Sequence, residues 1–188
     1  MLHSVKRHFI SLDQINFLPI QSTIDSKKTL LLHFGFLRNN KTSRMTEKET
    51  KQIEVDKRYL RMAEIWAENS YCKRRKVGAL IVKDQMIISD GYNGTPSGFE
   101  NVCEDEHNIT KPYVLHAEAN AITKVAASSN NSKGATIYIT SSPCIECAKL
   151  IIQSGIKRVV FSDQYRTPEG YDLLVRAGIP IDFIDLNN

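Results

Sequence analysis

The chain has no long apolar run. None of its 188 residues lies in a stretch near the roughly 18 consecutive apolar positions that a membrane-spanning helix requires, so no membrane partner is expected. The longest such run near the start, "TLLLHFGFL", is short and is broken by His33. Cysteine is scarce: Cys72, Cys103, Cys144 and Cys147 are the only four. Two disulfides would demand an oxidising compartment, yet the early apolar residues are interrupted by Asp13 and Asn16 and form no convincing signal peptide. A cytoplasmic protein with reduced thiols is the expectation. Most of the chain also lacks an excess of one charge sign. The net charge of +4 comes from residues 1–44, where seven Lys/Arg face two Asp/Glu, whereas residues 45–188 carry 18 against 19. Such a body exerts no long-range pull on a polyanion, so no nucleic-acid partner is expected. A local basic patch for a small phosphate is still allowed. Internal repeats and low-complexity tracts are absent too. The 41% hydrophobic and 24% charged composition is that of one soluble globular domain with a tail.

Residues 1–53 show no sustained hydrophobic period, and "RNNKTSRMTEKETK" reads as a linker. The expected organisation is a disordered N-terminal extension and linker over 1–53 and a folded domain over 54–188. Met45 lies inside the linker, which suits an upstream translation start for residues 1–44; a basic, acid-poor targeting segment is the alternative. In "EVDKRYLRMAEIWAENS" the residues Val55, Tyr59, Met62, Ala63, Trp66 and Ala67 recur at helical spacing. "KVGALIVKDQMIISDGYNG" reads as a hairpin around a short polar turn. "AEANAITKVAAS" predicts a helix, "ATIYITSS" a strand, and "CIECAKLIIQSG" a helix capped by Gly155. "RVVFSD", "EGYDLLVRAG" and "IPIDFID" predict strand, helix ending at Gly178, and strand. The closing βαβαβ run implies a mainly parallel sheet with helices on both faces, an α/β class.

Chemistry concentrates at two helix starts. Pro143 precedes Cys144 and Cys147, and residues three apart on a helix share a face. Both sulfurs can therefore point to one place, beside the positive end of the helix, where thiolates are favoured. The stretch "VLHAEANAITK" brings His116 to another helix start. One imidazole and two thiolates make three zinc ligands, the count of a catalytic site that keeps its fourth position for water. Zinc lowers the pKa of bound water from about 15.7 to about 7. Glu118, two residues past His116, can then take that proton and return it to a substrate nitrogen. Each piece has an ordinary explanation alone: a core histidine, a redox or structural CxxC, a capping glutamate. Their joint order, H-x-E and then P-C-x-x-C one helix-strand unit later, does not.

That order is the signature of zinc-dependent nucleobase deaminases, and from about residue 57 to 185 the chain resembles the cytidine/deoxycytidylate deaminase superfamily. The resemblance implies zinc held by His116, Cys144 and Cys147, with Glu118 as the proton shuttle. It implies a cytidine deaminase-like three-layer α-β-α sandwich whose five-stranded mixed sheet has its first strand antiparallel to its neighbour. The string "DGYNGTPSGFENVCEDE", residues 90–106, is similar to the loop of deoxycytidylate (dCMP) deaminases, which gives Asn93 the role of holding the deoxyribose. Taken alone, Asn-Gly is also a strong turn signal. Arg74, Tyr165 and Arg166 fall at the sheet edge where ligands of parallel strands bind, and in relatives such positions grip the 5′-phosphate. The backbone N–H of Ala117, just past His116, is expected to help hold the base. Some relatives carry a second, structural zinc, for which Cys72, Cys103 and His107 are the candidates. A homo-oligomer, with hexamers common in the family, is expected. Ser97 stands where many regulated relatives have arginine, which puts nucleotide regulation in doubt.

The reaction so implied is hydrolytic deamination of dCMP to dUMP and ammonia. The alternatives are another base, as in a free nucleoside, a riboflavin intermediate or tRNA, and a non-catalytic, zinc-stabilised competence-related binding protein. "SSPCIEC" departs from the E-P-C-x-M-C pattern of tRNA-adenosine enzymes. The scattered Tyr and Phe residues offer no evident platform for stacking polynucleotide bases.

Overall fold

A computed structural model describes residues 46–187, so the expectations for residues 1–45, the disordered extension among them, lie outside the described residues. The first described helix, α1, runs from Glu47 to Ala67 and begins inside the stretch that reads as linker. The cause is local. Thr46 Oγ1 accepts from the Glu49 N–H at 3.3 Å, and the Glu49 carboxylate accepts from the Thr46 N–H at 2.8 Å. This reciprocal capping box satisfies two N–H groups that a helix start leaves without partners. Ile53, on the linker side of the expected 53/54 boundary, is buried.

The buried face of α1 is also rotated from the expected stripe. It comprises Ile53, Asp56, Leu60, Ala63 and Ala67, while Met62 and Trp66 are exposed. The surprise is Asp56, a carboxylate with 0% exposure. Arg158 meets it in a fork, Nη1 at 2.9 Å and Nη2 at 2.7 Å, and the Tyr138 hydroxyl and Gln52 amide donate at 2.7 and 2.9 Å. Arg158 Nε also donates to Asp182 at 2.7 Å. A buried carboxylate is tolerable only when paired and hydrogen-bonded in this way.

Strands β1 (Gly78–Lys83), β2 (Met86–Tyr92), β3 (Thr136–Ile139), β4 (Arg158–Phe161) and β5 (Ile181–Phe183) form one sheet in the order β2-β1-β3-β4-β5. β1 is antiparallel to both neighbours; β3, β4 and β5 are parallel. The hairpin turns at Asp84 and Gln85, both at positive φ, 50° and 64°. Helices α2 (Ala117–Ala126), α3 (Ile145–Gln153) and α4 (Glu169–Arg176) follow the order read from the sequence, and the expected caps Gly155 and Gly178 are left-handed.

Strand alternation divides the core in two. Ala79, Ile81, Ile137, Ile139, Val159 and Phe161 face α2, α3 and α4. Leu80, Val82, Tyr138 and Val160 face Leu60 and Ala63 of α1. The result is the three-layer α-β-α sandwich with a five-stranded mixed sheet that the resemblance implies. Because β1 runs against β3, the segment entering β1 lies at the same edge as the segments leaving β3 and β4. A groove of about 1120 Å³, lined by Tyr59, Tyr138, Lys157 and Arg158 among others, lies at the other edge, where β3 and β4 begin.

Candidate active site

The edge where β3 ends carries the polar residues singled out in the sequence. His116 occupies the capping position of α2, and Cys144 that of α3. Neither uses its side chain to cap. They turn toward one another instead: His116 Nδ1 lies 3.4 Å from Cys144 Sγ and 3.4 Å from Cys147 Sγ. Among the described residues these three are the one group of three or more metal-binding side chains whose ligand atoms all fall within 4.8 Å of each other. Zinc bonds of about 2.3 Å to sulfur and about 2.0 Å to nitrogen, at tetrahedral angles, would set N and S about 3.5 Å apart. The donor set and its spacing fit zinc.

The electrostatics of the three donors are coupled. The hydrogen bond from Cys147 pulls the Cys144 thiol down to about 3, with His116 adding to the effect. Cys147, which keeps the shared proton and is buried, moves well above the ordinary thiol range. The bond to Cys144 raises His116.

Glu118 is 4% exposed, one residue into α2 behind Ala117. Burial lifts its carboxyl to about 7, partly offset by its own N–H and the neighbouring His116. Its side chain is in hydrogen-bonding contact with Cys147. A carboxyl poised near neutrality beside metal donors suits proton transfer in both directions. Ala117 is fully buried as the first residue of α2, so its N–H has no carbonyl one turn back to receive it. Gly170, the second residue of α4, closes the site from behind. A Cβ there would stand 2.1 Å from the Pro143 carbonyl oxygen and 2.6 Å from the Cys144 carbonyl carbon.

The remaining candidates are distributed less simply. Asn93 is not a hairpin turn residue: its Oδ1 accepts from the Val77 N–H and its Nδ2 donates to the Arg75 carbonyl, both at 2.8 Å. Each polar atom keeps capacity for one further bond. Tyr165 N–H donates to Ser142 Oγ at 2.7 Å, two residues before Cys144, and the Arg166 guanidinium lies over the Tyr165 ring at 5.4 Å. Arg74 is exposed in the segment that enters β1. Its Nη1 donates to Thr110 Oγ1 at 3.2 Å, in the segment between β2 and α2. Arg75, the second arginine of "SYCKRRKVG", pairs with Asp163 beyond β4. No local pattern marked that pairing.

The candidate second metal group is not assembled. Cys72 and Cys103 are both buried, and burial together with the bond to Cys72 pushes Cys103 up to about 12. His107, however, is exposed, with Nε2 3.6 Å from Glu106. Its N–H donates to Asp105 within a tight local turn, which carries the imidazole to the surface. All four cysteines are free of disulfides.

Comparison with known proteins bears on the same residues. The family model for the cytidine and deoxycytidylate deaminase zinc-binding region matches residues 53–163. The chain belongs to the cytidine and deoxycytidylate deaminase family. Among curated relatives of this deaminase, the ComE operon protein 2 of Bacillus subtilis is 36% identical over 141 residues, 72% of this chain and 74% of that one. The deoxycytidylate deaminase of Homo sapiens is 38% identical over 128 residues, 63% of this chain and 71% of that one. A solved structure, the dCMP deaminase from the cyanophage S-TIM5 in complex with dCMP and dUMP, superposes with a TM-score of 0.69 at 42% identity. It covers 75% of this chain and 100% of that one. No described helix of this family member is long and apolar enough to cross a membrane.

Proposed function

We propose that the chain catalyses hydrolytic deamination of dCMP, in which dCMP and water give dUMP and ammonia. The observation that carries this reading is the buried Glu118 set against the His116–Cys144–Cys147 group. Relatives named deoxycytidylate deaminase, and a neighbour solved with dCMP and dUMP, support the substrate. His116, Cys144 and Cys147 would hold zinc, which when bound supplies a water acidic enough to act near neutral pH. Glu118 accepts a proton from the attacking water and passes it to ring nitrogen 3. With the water oxygen now bonded to carbon 4, Glu118 takes the second proton from that hydroxyl and delivers it to the amino nitrogen, so that the C4–N bond breaks, the carbonyl forms and ammonia leaves. The N–H of Ala117 orients the base, and Asn93 turns its remaining donor and acceptor to the deoxyribose. Tyr165 and Arg166 receive the phosphate. Four thiols without disulfides suit a reducing cytoplasm. A homo-oligomer belongs to the same reading, since Phe99, Val102 and Ile109 of the segment after β2 are exposed apolar groups that a second copy would cover; light scattering of the purified protein measures it.

Ammonia release from dCMP, CMP, deoxycytidine and a tRNA anticodon loop tests the reaction, with dCMP expected to be the preferred substrate. Release from the anticodon loop alone, or from none of the four by zinc-loaded protein, would overturn it. Arg166→Ala is expected to raise KM for dCMP far more than for deoxycytidine.

A further inference from the structure

The ladder between β1 and β2 changes character at the end nearest the metal group. Gly78 is the register partner of Tyr92, so Val77 and Asn93 come next in line. At a hydrogen-bonded position of an antiparallel pair, the two residues exchange both N–H to carbonyl bonds. Here only half of the exchange occurs. The Asn93 N–H donates to the Val77 carbonyl at 3.1 Å, but the Val77 N–H goes to the Asn93 side chain, to Oδ1, at 2.8 Å. The Asn93 carbonyl is thereby released from the ladder, and Ser70 takes it. The Ser70 hydroxyl donates to that carbonyl at 2.7 Å. The Cys72 thiol, a weak donor, stands 3.7 Å from the same oxygen.

Ser70 is itself held. It lies just past the end of α1, is 2% exposed, and donates its N–H to the Ala67 carbonyl at 3.0 Å. Its hydroxyl oxygen accepts from the Cys72 N–H at 3.2 Å. The peptide unit it grips is tied on the far side as well. The Gly94 N–H donates to the Leu115 carbonyl at 3.1 Å, and the Leu115 N–H donates back to the Gly94 carbonyl at 2.8 Å. Leu115 directly precedes His116. The Asn93–Gly94 peptide is thus fixed between the end of α1 and the entry to the metal group.

The consequence falls on the Asn93 amide. Bonded to the Val77 N–H and the Arg75 carbonyl, it keeps one donor and one acceptor. The deoxyribose of dCMP has one free hydroxyl, at carbon 3′, which can accept from the one and donate to the other. Without the Ser70 hydroxyl, the Asn93 carbonyl lacks a strong donor. The Val77 N–H is the donor an ordinary ladder would give it, and that exchange would cost Oδ1 its anchor and free the amide. We propose that Ser70 is a positioning residue for the deamination: by occupying the Asn93 carbonyl, it keeps the Asn93 amide aimed at the sugar hydroxyl. This rests on the dCMP reading above, in which Asn93 meets the deoxyribose.

The test compares kcat/KM for dCMP and for 2′,3′-dideoxycytidine monophosphate, which lacks that hydroxyl. Calorimetric titration of the zinc-loaded protein by dUMP and by dideoxyuridine monophosphate gives the matching affinities. Ser70→Ala is expected to lower the preference for dCMP about threefold to tenfold, chiefly through KM, with the dideoxy substrate unchanged within about twofold. Asn93→Ala should lower the same ratio at least as far, and the double variant no further than Asn93→Ala alone. Ser70→Cys keeps a weak donor at similar volume and should fall between the unmodified protein and Ser70→Ala. It carries the test if the alanine variant does not fold. Four results overturn the proposal: no preference for dCMP in the unmodified protein, a preference that survives loss of the Ser70 hydroxyl, additive losses in the double variant, or equal losses on both substrates, as a purely structural role would give. Unmodified protein that releases no ammonia from dCMP sinks the proposed reaction, whereas a Ser70-dependent preference for dUMP over its dideoxy counterpart would leave the positioning role standing.

Discussion

Glu118 and Asp56 are both buried carboxylates, and their surroundings assign them opposite work. Glu118 lies in the deaminase site with its pKa raised to about 7 by burial, so it can hold or release a proton at neutral pH. Replacing it with glutamine preserves size and hydrogen bonding but removes the titration. Glu118→Gln is expected to lower kcat by roughly 10²- to 10⁴-fold while zinc content by atomic absorption is unchanged. Asp56 has Arg158, Tyr138 and Gln52 around it, on the buried face of α1. Asp56→Ala leaves Arg158 with Asp182 as its remaining carboxylate and takes the acceptor from the Tyr138 hydroxyl, and is expected to cost about 3 kcal/mol in denaturant unfolding. Tyr138→Phe removes one donor among several and should cost about 1 kcal/mol. The two acids also differ in how legible they were. Glu118 stands in a local H-x-E pattern whose partners recur in a local P-C-x-x-C. Asp56 depends on an arginine 102 positions away, and its place on the buried face of α1 is visible only once Arg158 is known to meet it.

At the scale of elements, the hydrophobic period set strands and later helices at their places, because alternation and helical spacing are short-range signals. The start of α1 escaped that reading, since "TEKE" looks polar and linker-like while encoding a capping box. Relative to a chain begun at Met45, one begun at Glu54 loses the cap and the burial of Ile53. Those losses amount to about 1 and about 2 kcal/mol, read as a lower Tm by calorimetry. The packing of α4 onto the Cys144 segment makes a second element-level prediction. Gly170→Ala would drive a methyl into the Pro143 carbonyl, so the loop bearing Cys144 must shift. Weakened zinc affinity in a chelator competition is expected, with far-UV circular dichroism unchanged.

For the whole molecule, one group of side chains that could hold a metal ion, His116, Cys144 and Cys147, is brought together among the described residues. Purified protein is expected to carry about one zinc per chain. Dialysis against a chelator should abolish ammonia release, and added zinc should restore it; two tightly held ions would instead mean that Cys72 and Cys103 recruit further ligands. The Arg75–Asp163 pairing belongs to this scale as well. It spans 88 positions and follows from β1 running against β3, so no window of sequence contains it.

The buried fork at Asp56 and Arg158 has a further consequence. It rivets the first helix to the strands at the edge remote from the metal, with Tyr138 of β3 and Asp182 of β5 joined to the same pair. A helix fastened in that manner cannot peel away while the sheet stays whole. Heating should therefore melt the domain in one calorimetric peak, and a protease should find residues 47–67 no sooner than the interior strands.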